Sequence, residues 1–235
     1  MAQLYCGEAA TIYRECGDDI GLDDAVGDLG LVAYLRNDYA TARKYLEESL
    51  ARFRQAASVP GIVSALNRLG DLARCHGDYG RAENLYSECL ALYQDMGDKD
   101  EFPSLLHNLA YAVLQHKDYV QAMSLFKEGL AIQHEMSNQA GIAECLTGIA
   151  TVLTAQGKAQ QGARLFGVAE ALREIIGASL WPANRLEYER SLALLHQSLD
   201  ETTLAAEWAE GRRMMSRGFE ATAMLHAMDI QLGIT

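Results

Sequence analysis

The stretch RCHGDYGRAENLYSECLALY, residues 74–93, sets a cysteine beside a histidine, with an aspartate two residues on. Cys75, His76 and Asp78 are the residue types of a nucleophile, a base and an orienting carboxylate. The stretch has two close copies. Residues 34–53 read YLRNDYATARKYLEESLARF and residues 114–133 read LQHKDYVQAMSLFKEGLAIQ. Each carries Asp-Tyr, an alanine three residues after the tyrosine and a leucine eight residues after that alanine. These are Asp38-Tyr39, Ala42 and Leu50; Asp78-Tyr79, Ala82 and Leu90; Asp118-Tyr119, Ala122 and Leu130. Cys75 becomes Leu35 and Gln115 in the copies, and His76 becomes Arg36 and His116. Neighbouring side chains on a helix also diverge by about 100°, which keeps them from sharing a proton easily. What recurs is architecture, a repeat of roughly 40 residues, and not a catalytic set.

Composition narrows the class. Of 235 residues 49% are hydrophobic and only 3 are proline, with leucine and alanine prominent, so the chain reads as helical and well supplied with core residues. Five cysteines stand at 6, 16, 75, 89 and 145 with no CxxC pair, which suits reduced thiols in a cytoplasmic protein better than a zinc or redox site. The acidic run GDDIGLDDAVGD, residues 17–28, lacks the alternating acids of a calcium loop, and no HxxxH pair marks a metal site. Net charge is −12, and the first 50 residues hold 10 acids against 4 bases, the wrong sign for gripping phosphates. No basic segment leads into an apolar run at the N-terminus, and no stretch of roughly 18 apolar residues spans a membrane. No cofactor or metal is expected.

Within each repeat the apolar residues fall at helical spacing, and turn signals punctuate them. The spacing predicts helices at 22–36, 40–57, 62–76, 80–96, 102–116, 120–136, 140–156 and 160–176. Asp38, Asp78 and Asp118 sit just before a second helix, where a carboxylate accepts orphan backbone N–H groups. Small residues recur where helices must approach: Gly30, Gly70, Ala110 and Ala150 in the first helix, Ala42, Ala82, Ala122 and Gly162 in the second. Leu46, Tyr86, Phe126 and Phe166 fill the complementary large slot.

The residues Leu69-Gly70, Gly77-Asp78-Tyr79, Ala82, Tyr86 and Cys89 resemble the tetratricopeptide repeat in a long-helix version. The resemblance covers about residues 22–176 as four repeats, and the last departs from it at Gly157-Lys158-Ala159, losing the tyrosine and weakening the cap. It implies an all-α, right-handed superhelical solenoid of antiparallel helix pairs. The expected divisions are 1–20, the second helix of a truncated preceding repeat; four repeats at 21–60, 61–100, 101–140 and 141–180; a terminal helical pair at 181–215; and a C-terminal helix and tail at 216–235. In residues 2–16, Ala2, Cys6 and Ala9 match Ala42, Leu46 and Ser49 without a preceding first helix, so the chain is expected to be a piece of a longer protein.

Residues 163–215 resemble the closing repeat segment of bacterial signal-transduction ATPases of the STAND class, including MalT-like and LuxR-type transcriptional regulators. The carrying residues are Arg164-Leu165-Phe166-Gly167, Ala169-Glu170-Ala171-Leu172-Arg173, Glu187-Tyr188 and Ala206-Glu207-Trp208-Ala209-Glu210-Gly211. That resemblance implies a sensor arm whose ATPase and DNA-binding modules lie elsewhere; neither GxxxxGK[ST] nor a basic recognition helix occurs here.

In tetratricopeptide repeats the first helices line a concave surface that takes peptides or small ligands. On this register Tyr34, Asn67, Asp71, Arg74, His107, Asn108, Tyr111, Thr147 and Thr151 face it. Asn67, Asp71 and Arg74 form one polar stripe, with His107 and Tyr111 expected beside it and Arg74 able to hold a carboxylate or phosphate in two parallel bonds. The expected function is a non-catalytic module recognising a protein, a peptide or a small inducer, with no direct nucleic-acid contact and oligomerisation left open. The alternative is a scaffold or oligomerisation arm without a ligand of its own.

Overall fold

The computed structural model describes residues 2–96 and 102–216. The expected tail at 216–235 lies, beyond its first residue, outside the described residues, as does the joint at 97–101. The described residues form eleven helices and no strand: α1 (Ala2–Cys16), α2 (Asp19–Leu35), α3 (Tyr39–Gln55), α4 (Val59–Cys75), α5 (Tyr79–Met96), α6 (Phe102–Gln115), α7 (Tyr119–Glu135), α8 (Gln139–Ala155), α9 (Ala159–Ile176), α10 (Pro182–Ser198) and α11 (Glu201–Ser216). The fold is all-α, as the 40-residue register requires. α2 and α4 begin at Asp19 and Val59, ahead of the expected 22 and 62. Asp18 supplies the reason in the first case, its carboxylate accepting the Gly21 N–H at 3.0 Å. In the second, Pro60 lies in the first turn, where a missing N–H costs nothing.

The turns inside each pair follow from the sequence. Asp38, Asp78 and Asp118 accept the N–H groups of Thr41, Arg81 and Gln121 at 3.2, 3.2 and 3.0 Å. The residue before each cap adopts a left-handed conformation, with φ of 61° at Asn37, 75° at Gly77, 63° at Lys117 and 80° at Gly157. That twist returns the next N–H to the preceding helix: Asp38 to the Ala33 carbonyl, Asp78 to Ala73 and Lys158 to Leu153, at 2.9–3.0 Å. Lys158 gives no side-chain cap, as its replacement of aspartate implies.

Two compact units result, each built from helices packed in chain order. The first comprises α1 to α5 with Trp181–Ala183; the second comprises α6 to α9, the rest of α10, and α11. In both, Ala42, Ala82 and Ala122 are wholly buried, as are Leu46, Tyr86, Phe126 and Phe166. The matching glycines leave room for those large side chains. A Cβ on Gly30 would lie 2.7 Å from Leu46 Cγ, and one on Gly70 would lie 2.5 Å from Tyr86 Cε1. Another period-40 glycine, at 21, 61 and 141, faces Tyr13, Phe53 and Gln133 where one repeat meets the next. The sequence reading did not pick it out.

In the second unit α11 packs against α9, and Gly167 and Gly211 let the two backbones approach. Trp208 stacks on Phe166 with centroids 5.8 Å apart and donates its Nε1–H to Glu170 at 2.7 Å. Arg164 pairs with Glu207 at 2.6 Å, and Arg212 with Glu170 at 2.8 Å. Trp208 is thus a packing residue of the contact between α9 and α11.

Candidate functional site

Of the nine expected groove residues, Tyr34 on α2 and Asn67, Asp71 and Arg74 on α4 belong to the first unit; the other five belong to the second. Tyr34, Arg74, His107, Asn108, Tyr111, Thr147 and Thr151 are all buried, while Asn67 and Asp71 are half-buried.

In the first unit the polar cluster is built from the turn outward. Tyr86 donates its hydroxyl to Asp71 Oδ1 at 2.7 Å, and the Arg74 guanidinium lies 3.7 Å from the same oxygen. Arg74 is 0% exposed, so it is seated in the protein and not held out as an open fork. Asp71 is its ion-pair partner one turn away on the same helix. Burial pushes the Asp71 carboxyl up, against the opposing pull of Arg74 and of the Tyr86 hydrogen bond. Tyr34 is likewise pushed up by burial and then by the Asp71 charge, and its hydroxyl accepts the Ala183 N–H at 3.0 Å. Arg68, half-buried on the same helix, reaches the Gly27 carbonyl at 3.1 Å, and burial lowers its pKa.

Cys75, His76 and Asp78 go to separate partners. Burial pushes the Cys75 thiol up, against the opposing pull of the neighbouring Tyr39 and Tyr34 hydroxyls. A His76 ring nitrogen lies 2.8 Å from the Leu72 carbonyl, with its ring edge-on to Tyr39 at 5.5 Å. Asp78 caps α5 through the Arg81 N–H. A thiol with a raised pKa makes a poor nucleophile at neutral pH.

In the second unit His107 and Tyr111 form a triangle of edge-on rings with Phe126 of α7, centroids 5.0–5.5 Å apart. They belong to the packing between α6 and α7. Thr147 and Thr151 on α8 meet side chains of other helices: Arg173 of α9 reaches Thr147, and Ser191 of α10 reaches Thr151. Thr151 Oγ1 and Ser191 Oγ are 2.9 Å apart, and Asn184 donates to Glu144 at 3.1 Å. Glu187, 2% exposed, accepts from Gln115 of α6 at 3.3 Å and from Arg190 at 3.1 Å. Arg173 of α9 donates to Thr147 at 2.9 Å and lies 4.8 Å over the Tyr188 ring. Besides Ala183, the buried residues of α10, at 184, 187, 191 and 195, follow one helical stripe that is polar at its first three positions. That spacing of Asn, Glu and Ser was the signal available in the sequence for this face.

Among the described residues no group of three potential metal ligands assembles, and no helix is long and apolar enough to cross a membrane. No curated protein matches the chain. Among solved structures it is similar to BtubC (BKLC) from P. vanneervenii, with TM-score 0.64 and 15% identity over 97% of this chain and 91% of that one. It is also similar to a chain from Podosopora anserina described as a kinesin light chain of nearly identical TPR-like repeats, with TM-score 0.56 and 17% identity over 83% of this chain and 95% of that one. At these identities the likeness concerns the fold. Residues 23–95 match the tetratricopeptide repeat family. That match lies within the first unit, and the solved structures show that the repeat fold extends over the rest of the described chain.

Proposed function

We propose that the chain is a non-catalytic interaction and sensor module, part of a larger cytoplasmic bacterial signal-transduction or transcriptional regulator. Recognition of a protein segment, or of a small inducer, occurs on the inner faces of the first helices: α4 in the first unit, α6 and α8 in the second. The observation that carries this reading is the polar seat on α6 and α8. Gln115, Thr147 and Thr151 engage partner side chains on other helices, with hydrogen-bond distances of 2.9–3.3 Å. A face that already organises donors and acceptors around a helix is chemically equipped for recognition. The regulator setting rests on the residues of 163–215 that resemble such proteins.

A selection from a displayed peptide library against the purified chain, followed by calorimetry, tests the reading. Asp71→Asn and Thr151→Arg should weaken the selected peptide, whereas Arg81→Ala, whose exposed guanidinium pairs with Glu47 at 3.2 Å on the second helices, should leave it unchanged. Equal indifference to all three substitutions would move recognition off the inner faces. It would favour the scaffold reading, which draws its own support from α1, where Leu4 and Ile12 are 61% and 56% exposed.

A further inference from the structure

α10 is placed unusually for a helix that follows four helices packed in order. α11, the next helix along, takes the position against α9. α10 instead lays Glu187 and Ser191 on α6 and α8. Its buried contacts are mixed: Leu195 is wholly buried and Tyr188 lies edge-on to Phe166 at 5.7 Å, while a carboxylate, a carboxamide and a hydroxyl are buried beside them, each answered by a side chain of the seat. Burying a carboxylate such as Glu187 adds little net stability even when it is paired, but it makes the seat selective for that group. Interfaces with hydrogen-bonded polar groups of this kind are typical of contacts that form and break.

From this geometry we infer that the inner face of the second unit is a binding site for a partner helix presenting a carboxylate, an aromatic ring and a hydroxyl at positions i, i+1 and i+4, and that α10 is its resident, displaced when such a helix arrives. Glu187, Tyr188 and Ser191 are the resident's three groups. Gln115 receives the carboxylate, Arg173 the ring and Thr151 the hydroxyl. The inference rests on the interaction-module reading and adds to it the class of partner and its route of entry. Because α10 is tethered, it competes at an effective concentration on the order of millimolar, so an outside helix gains access only when it binds well or when α10 is weakened.

The test uses the full chain and a labelled peptide of residues 184–199. Glu187→Arg places a cation where Gln115 donates, and should release α10. The released chain should bind the native-sequence peptide about tenfold or more tightly than the wild type does, because the competent fraction rises. A peptide carrying Glu187→Arg itself should not gain. Independently, Thr151→Cys with Ser191→Cys should lock α10 in place on oxidation, since the two oxygens it replaces are 2.9 Å apart. The oxidised chain should lose peptide binding, and the same variant, once reduced, should bind more tightly than when oxidised. If the released chain loses helix content by circular dichroism, the lock decides alone. Equal binding by oxidised and reduced chains, or no gain in a folded released chain, overturns the proposal. A released chain that dimerises by exchanging α10 also overturns it, because the occupant is then a second copy. In each of these failures the selected peptide of the previous section could still bind through the first unit, so the broader reading is judged separately.

Discussion

Adding one carbon at Gly70 should destabilise this protein, although the same change is helpful in most helices. An alanine Cβ there would lie 2.5 Å from Tyr86 Cε1 and 2.7 Å from Cζ. A loose ring would swing aside at little cost, but Tyr86 is wholly buried and its hydroxyl is held by Asp71 at 2.7 Å. Overpacking costs about 1–3 kcal/mol. If the ring escapes by giving up Asp71, the lost hydrogen bond to a charged group costs about 1.5–3 kcal/mol instead. Against either stands a gain of about 1 kcal/mol from replacing glycine with alanine within a helix. The net expectation for Gly70→Ala is a loss of up to about 2 kcal/mol, with the melting temperature falling by about 2–4 °C for each kcal/mol. Gly80→Ala is the internal control. Nothing lies within 4 Å of a Cβ at that position, so the same substitution should be neutral or stabilising by up to about 1 kcal/mol. Thermal denaturation followed by circular dichroism measures both. In a Tyr86→Phe background, where the hydroxyl anchor is gone, the Gly70→Ala loss should shrink. A Gly70→Ala chain that melts above the wild type would refute the register on which the packing account stands.

Three further outcomes are expected. Ala82→Leu forces a larger side chain into a wholly buried slot and should cost about 1–3 kcal/mol; an unchanged denaturation midpoint would contradict the helix pairing. Burial raises the Cys75 thiol above its ordinary pKa, so alkylation at neutral pH should be slower than at the exposed Cys16, and Cys75→Ser should leave the fold intact; rapid, selective labelling of Cys75 would reveal an activated thiolate. The Asp71 carboxyl binds its proton more tightly folded than unfolded, so its contribution is fully present below the unfolded value of about 4 and fades as pH rises through the raised folded pKa. Asp71→Asn should remove that downward slope from a stability–pH profile, and a profile of unchanged slope would place the carboxylate in water.

The helix pairs and their tight crossings were legible because both are local or periodic. An aspartate before a helix and a small residue facing a large one repeat at 38, 78 and 118 and at 42, 82 and 122, so each instance supports the others. The candidate site was less legible, since burial of its residues depends on contacts distant in sequence. Thr151 looks solvent-facing from its own helix, yet Ser191, 40 residues on, reaches it. His107 and Tyr111 read as polar groove residues until Phe126 of the following helix is placed against them. Arg74 and Asp71 lie three residues apart on one helix, yet a fully withdrawn guanidinium cannot be inferred from that spacing. α10 lies beyond the last repeat, where the 40-residue register has no further copy to be checked against.

Amide chemical-shift mapping of the selected peptide on the isotope-labelled full chain tests whether recognition falls on the inner faces of the first helices. The expected shifts concentrate on α4 around Asn67 and Asp71, or on α6, α8 and α10 around Gln115, Thr151 and Ser191, with α3, α5 and α7 largely unmoved. Shifts confined to the second helices, or to α1 around Leu4 and Ile12, would contradict it.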